Sequence, residues 1–277
     1  MAAPWLLACS LLLLSLATFH GAEGAIGVNY GMIANNLPAP EQVVSMYKAK
    51  NISYVRLFHP DTTVLNALRG SGIGVILGTL NEDLPRLASD PSFAASWVAT
   101  NGAFSEAATT VMAPLVSYLS SRGAPLLVNV YPYFAYSGSG GQVALGYALL
   151  SGAGAGAAST VTDGGAVYTN MFDAIVDATH AAVEKAGVQG LELVVSETGW
   201  PSAGGEGASV ENAAAYNNNV VRHVDGGTPR RPGKALETYL FAMFNENGKA
   251  EGVEQHFGLF QPDMSEVYHV DFTAGSP

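Results

Sequence analysis

The chain has 277 residues, 48% of them hydrophobic and only 13% charged, with 23 acidic against 12 basic side chains and a net charge of -11. Such a composition builds a packed core and excludes a disordered chain, and the length suits one large domain or two small ones. No basic cluster occurs, which excludes nucleic-acid binding on electrostatic grounds, disfavours anionic membranes and polymers, and leaves neutral partners open.

In chain order, residues 5–19 form the apolar run WLLACSLLLLSLATF, followed by the small residues around Ala22-Glu23-Gly24. The run is shorter than the roughly 20 residues a membrane span needs, so residues 1–24 read as a signal peptide, removed from a chain that is not membrane-bound afterwards. The one cysteine, Cys9, lies inside that run, so residues 25–277 hold together without disulfides, as a large single domain can. Ile26–Tyr30 is a β-leaning run. Pro40 opens an amphipathic helix through Val43, Val44 and Tyr47, with Lys48 and Lys50 near its end. Asn51-Ile52-Ser53 is a glycosylation triplet.

Tyr54–Phe58 reads as a second strand, Val64, Leu65 and Leu68 mark a short helix, and Gly74–Leu77 is a third strand. Leu84–Trp97 is helical in part, and Phe104–Leu119 repeats apolar residues at helical spacing. Pro125–Tyr131 is a fourth strand, residues 137–160 a Gly/Ala/Ser-rich loop, and Met171–Ala186 a helix. Leu191–Val195 is a fifth strand, Val210–Val224 a helix and Leu236–Phe244 a sixth strand. The strands are short, continuous and apolar, as when both faces of a parallel sheet are buried. Strand–helix alternation predicts an α/β fold of one domain. Polar and aromatic residues follow most strands, where an α/β barrel builds its active site, but six strands are two fewer than such a barrel needs.

The chemistry sits in two stretches. In Val194-Val195-Ser196-Glu197-Thr198-Gly199-Trp200-Pro201 a buried strand ends in a carboxylate followed by an indole, whose flat face suits the apolar C–H patch of a sugar ring. Glu197 could equally form a structural ion pair, and Trp200 could fill core. In the stretch from Glu237 to Asn247 one acid begins a strand and another, Glu246, ends it. Glu237 could serve as a salt bridge at the base of the sheet, whereas Glu246 is better placed for substrate. Tyr131, Tyr133, Phe134 and Tyr136 line either a sugar groove or a packed core. The six histidines (20, 59, 180, 223, 256 and 269) lack zinc-ligand spacing, and neither a G-x-S-x-G elbow nor a P-loop occurs, so no metal and no cofactor is expected. Carboxylates and aromatics on this scaffold point to glycoside hydrolysis.

The stretches IGVNYG (26–31), YVRLF (54–58), PLLVNVYPYFAY (125–136), VVSETGWPSAGG (194–205), ETYLFAMFNEN (237–247) and FGLFQPD (257–263) resemble glycoside hydrolase family 17, the plant 1,3-β-glucanases and their 1,3;1,4-β-glucanase relatives. The resemblance implies a (β/α)₈ barrel, a retaining endo-hydrolase of neutral β-glucan, monomeric, in the extracellular space, cell wall or vacuole. It makes Glu197 the nucleophile and Tyr30, Tyr131, Tyr133, Trp200, Glu237, Phe244, Asn245 and Glu246 substrate-binding residues.

One element of the family pattern is missing. The family carries its general acid/base in an Asn-Glu pair after the fourth strand. Here Asn81-Glu82 follows the third strand and Asn245-Glu246 belongs to the eighth. After residue 101 the chain passes to Gly102-Ala103-Phe104, which resembles the approach to a later helix. About two βα units, roughly 30 residues each, are absent, leaving about six with family strands four and five missing. Three readings follow: a working enzyme using Glu246, Glu237 or Glu82 as acid; an inactive glycan binder; or an unstable truncated isoform.

Overall fold

In the computed structural model, which describes residues 26–59, 61–77, 106–151, 160–163 and 165–273, six parallel strands form one sheet. They are β1 (Ile26–Tyr30), β2 (Tyr54–Leu57), β3 (Gly74–Leu77), β4 (Leu126–Asn129), β7 (Leu193–Thr198) and β10 (Thr238–Leu240). The spatial order is β3-β2-β1-β10-β7-β4, so the first and last strands among the described residues are neighbours at the centre. Among the described residues β3 pairs only with β2, and β4 only with β7. The missing-strand expectation therefore meets a curled parallel half-barrel, with outer edges at β3 and β4. The leader (1–24), the Leu84–Trp97 helix, Glu82 and the junction near residues 101–102 lie outside the described residues.

The helices are α1 (Pro40–Ala49), α2 (Thr62–Leu68), α3 (Glu106–Arg122), α4 (Pro132–Ser137), α5 (Leu145–Ala148), α6 (Met171–Lys185) and α7 (Val210–His223). Local chemistry sets their starts. Asp61 accepts from the Thr63 and Val64 amides at the head of α2, Asn170 caps α6 through the Asp173 amide, and Ser209 caps α7 through the Asn212 amide. Proline begins α1 and α4, where its lost N–H costs no hydrogen bond.

Alternation along the strands divides the two faces. Val28, Val55 and Leu57 are buried in the core with Phe172, Val176 and Val183 of α6 and Tyr216 and Val220 of α7. Tyr54, Arg56 and Asn29 turn to the concave face. Gly27 is glycine because a Cβ there would lie 2.3 Å from the Tyr239 ring and 3.0 Å from Tyr54 Cβ. Arg56 of β2 bonds Glu197 of β7 across β1 and β10 at 2.6 Å. In a flat sheet, strands three positions apart stand about 14 Å from each other, so the sheet must curl for that bond to form.

Several boundaries differ from the sequence reading. The fourth strand stops at Asn129, because Pro132 opens α4. The fifth strand runs on to Thr198, so Glu197 stands within it rather than after it. The sixth is regular only over Thr238–Leu240. Beyond it the chain stays bonded but irregular, Phe241 N donating to Thr198 O and Met243 N to Asn29 O. The 137–160 segment is not wholly loop, since α5 lies within it. Two hairpins were unforeseen, β5–β6 (Val161–Asp163 with Ala166–Tyr168) and β8–β9 (Gly227–Thr228 with Arg231–Pro232).

Candidate active site

Glu197 owes its orientation to a bulge. Val128 pairs with Val195 and Asn129 with Glu197, so Ser196 is an extra residue on β7. A bulge re-aims the side chains beyond it. Val195 thus joins the core while Glu197 faces the concave side. Two bonds hold the bulge: Ser196 Oγ donates to Asn129 Oδ1 at 2.9 Å, and Asn29 Nδ2 donates to Ser196 O at 3.2 Å. Thr198, on the opposite face, bonds the Tyr216 hydroxyl at 2.5 Å.

Both carboxylate oxygens of Glu197 have donors. Arg56 Nη1 donates to Oε1 at 2.6 Å, and the Tyr131 hydroxyl donates to Oε2 at 3.0 Å. The Arg56 and Glu197 side chains are 15% and 14% exposed, a largely desolvated pair. Arg56 also lies over the Phe58 ring at 4.7 Å. Burial, then the adjacent Glu197 charge, pushes the Tyr131 phenol well above its ordinary range. It is a fixed hydrogen-bond donor to the carboxylate and a poor proton donor to a leaving group.

Around this pair the aromatic rings make a wall. Tyr131 meets Phe134 at 5.4 Å, Phe257 at 5.9 Å and Phe241 at 6.2 Å, and Phe58 meets Phe241 at 6.1 Å. Phe134 is 41% exposed and is the large aromatic of this group most open to a ligand. Trp200 is different: it is fully buried, its Nε1 donates to Gly207 O at 2.9 Å, and Tyr133, Tyr136 and Tyr216 surround it. Its indole offers no free face, so here it fills core. Tyr133, Tyr30 and Phe244 are also buried.

The other two candidate acids are engaged elsewhere. Glu246, 2% exposed, accepts the Ile33 amide at 2.7 Å through Oε1 and pairs with Lys249 Nζ at 2.9 Å through Oε2. It ties the loop after β1 to the loop after β10. A Cβ on Gly31 would sit 2.3 Å from its Oε2. Lys249 also lies 4.2 Å above the Phe241 ring, linking Glu246 to the aromatic wall. Glu237 precedes β10, at the strand end opposite to that of Glu197. It accepts from the Tyr239 hydroxyl at 2.8 Å, and burial pushes its carboxyl above the usual range. Asn245 is structural as well, accepting the Gly258 amide at 2.8 Å.

The structure thus brings Glu197 and Tyr131 together and leaves Glu237 apart. It adds Arg56 and Lys249, which the sequence reading did not single out. Arg56 carried one signal, a charge inside the apolar strand YVRLF; Lys249 carried none. Among the described residues no group of three or more His, Cys, Asp and Glu could hold a metal ion, and no helix is long and apolar enough to cross a membrane.

A family profile described as "Glycosyl hydrolases family 17" matches residues 26–104 and 99–272, two stretches that overlap at 99–104. A putative glucan endo-1,3-beta-glucosidase GVI of Hordeum vulgare is 56% identical over 323 aligned positions, covering 92% of this chain and 99% of the relative. That alignment is longer than the 277 residues of the chain, so the relative has residues without a counterpart here. Among solved structures, CJP38, a beta-1,3-glucanase and allergen of Cryptomeria japonica pollen, superposes with a TM-score of 0.79 at 36% identity, covering 90% of this chain and 99% of its own. A structure described with two plant beta-glucan endohydrolases of distinct substrate specificities also scores 0.79, at 38% identity and 89% and 100% coverage.

Proposed function

This chain belongs to glycosyl hydrolases family 17, and on that premise we propose that it is a retaining endo-hydrolase of neutral 1,3-β-glucan whose catalytic half-site is Glu197 and which has no general acid among the described residues. As nucleophile, Glu197 attacks the anomeric carbon. Arg56 and Tyr131 each donate to one oxygen of its carboxylate and fix it in place, and the Phe134 side of the aromatic wall receives a sugar ring. In this reading residues 25–277 are one shortened barrel domain, monomeric and secreted after loss of residues 1–24.

The observation that carries the reading is the pair of bonds from Arg56 and Tyr131 to the two oxygens of Glu197. A retaining mechanism needs a second carboxyl about 5–5.5 Å away, across the glycosidic bond. Glu246 is committed to the Ile33 amide and Lys249, Glu237 to Tyr239, and Tyr131 holds its proton too tightly. The two-stretch family match and the longer alignment with the barley relative support a missing segment at that point of the barrel.

General acid catalysis is worth about 10²–10⁴-fold. A leaving group that departs without a proton escapes that loss. The purified chain is therefore expected to release reducing ends from linear 1,3-β-glucan at least about 10²-fold more slowly than an intact family member. It should release an activated aryl group from a 1,3-β-linked oligoglucoside readily, and Glu197→Gln should abolish that release. Rapid turnover of the polymer would mean that another residue supplies the proton. Failure on the activated substrate, or an active Gln variant, would remove Glu197 from the role.

A further inference from the structure

The geometry points to Asn51 as an acceptor for an N-linked glycan. Asn51 follows α1 and precedes β2, with a φ of 58°. The turn is a helix cap: Lys50 N donates to Met46 O at 2.9 Å, Asn51 N to Lys48 O at 3.2 Å, and Ile52 N returns to Tyr47 O at 2.9 Å. Positive φ after a helix favours Gly or Asn, so capping alone would account for an asparagine here.

Capping does not account for Ser53. Its side chain is exposed and forms no hydrogen bond with any described residue; its backbone oxygen accepts the Gly74 amide. The Asn51 side chain is likewise exposed and unbonded. Between them Ile52 is 2% exposed, packed in the core, which pins the turn and leaves the two polar side chains facing out. An asparagine amide and a hydroxyl two residues on are what the N-x-S/T acceptor triplet requires, and here both are free and presented on one fixed turn. In the transfer, Asn51 Nδ2 attacks C1 of an oligosaccharide carried on a lipid pyrophosphate. The N–C1 bond forms, the C1–O–phosphate bond breaks, the lipid pyrophosphate leaves with the electron pair, and the amide loses one proton.

The position also spares the cleft. Asn51 sits before β2, at the amino-terminal end of the strands, whereas Glu197 lies toward the carboxyl-terminal end of the parallel sheet. A glycan on Asn51 leaves the Arg56–Glu197 face open.

The inference rests on entry into the secretory route, not on the glucanase reading. The test is expression of the full chain in a secreting eukaryotic cell, once with its own residues 1–24 and once behind an unrelated secretory leader. The product is then treated with a peptide amidase that releases N-glycans and converts the acceptor asparagine to aspartate. The expected result is one mobility shift on treatment and an aspartate-marked peptide at position 51. Ser53→Ala should lose the shift and Ser53→Thr should keep it. A leader-swapped, secreted chain with an unmodified Asn51 peptide overturns the site. Modification only behind the unrelated leader upholds the site and overturns the reading of residues 1–24.

Discussion

Arg56→Met is the sharpest test of how Glu197 is held. The substitution keeps an unbranched stem against Phe58 and removes the guanidinium that donates to Glu197 Oε1 at 2.6 Å. Two opposite charges about 4 Å apart attract by roughly 4 kcal/mol at an effective dielectric of 20. Removing one partner of a buried pair typically costs about 3–5 kcal/mol. Tyr131 still donates to Oε2 at 3.0 Å, and a hydrogen bond to a charged group retains about 1.5–3 kcal/mol. The lower end of the range, about 3 kcal/mol, is therefore expected. The assay is urea unfolding followed by tryptophan fluorescence, with buried Trp200 as a reporter, run as a cycle with Glu197→Gln and the double variant. Once the carboxylate is neutral the guanidinium has less to stabilise, so the double variant should lose at least about 1 kcal/mol less than the two single losses together. A loss below about 1 kcal/mol for Arg56→Met, or additivity within about 0.5 kcal/mol, would refute the assignment of a strong, desolvated pair.

Two further outcomes are expected. Gly31→Ala places a Cβ 2.3 Å from a Glu246 oxygen that the Ile33 amide and Lys249 hold in place; overpacking of this kind costs about 1–3 kcal/mol, read as a lower melting temperature, and an unchanged melt would show that Glu246 moves freely. His180, buried in α6, has its pKa pushed down to about 3, first by burial and then by the nearby Arg231 and Arg230 charges. The unfolded chain takes up that proton near pH 6.5 and the folded one does not, so this contribution is complete above about pH 6.5 and is lost as pH falls toward 3, by about 1.4 kcal/mol per unit. His180→Gln should flatten the stability profile between about pH 6.5 and 4.5, whereas buried Asp177 and Glu237, pushed upward, act with opposite sign in both chains. An unaltered slope in the variant would overturn the assignment to His180.

The sequence made the strands legible because their apolar runs were short and uninterrupted, and it made Glu197 legible because a strand led straight into it. What it could not show were partnerships over long separations. Arg56 meets Glu197 141 residues away, through a curl set by the whole sheet. Trp200 looked like a sugar platform, yet whether an indole faces solvent depends on Tyr133, Tyr136 and Tyr216 closing around it. The bulge at Ser196 carries no signature in residue type, since an extra residue is defined only against the strands on either side, β4 and β10. The short hairpins of two- and three-residue strands were too brief for any periodicity to register.

The central place of β1 beside β10 has a consequence for how the chain matures during its synthesis. The strands β1, β2 and β3 come from its first part and β4, β7 and β10 from its later part, and among the described residues the strand pairing between the two blades runs along Ile26 to Val28 against Thr238 to Leu240. The early blade leaves the ribosome long before its mate exists, and β1 waits with one side unsatisfied until the last strand arrives. A nascent chain halted short of Thr238 would lack the strand pairing that links β1 to β10. The central ladder of the described sheet thus forms late in synthesis, once Thr238 to Leu240 have emerged.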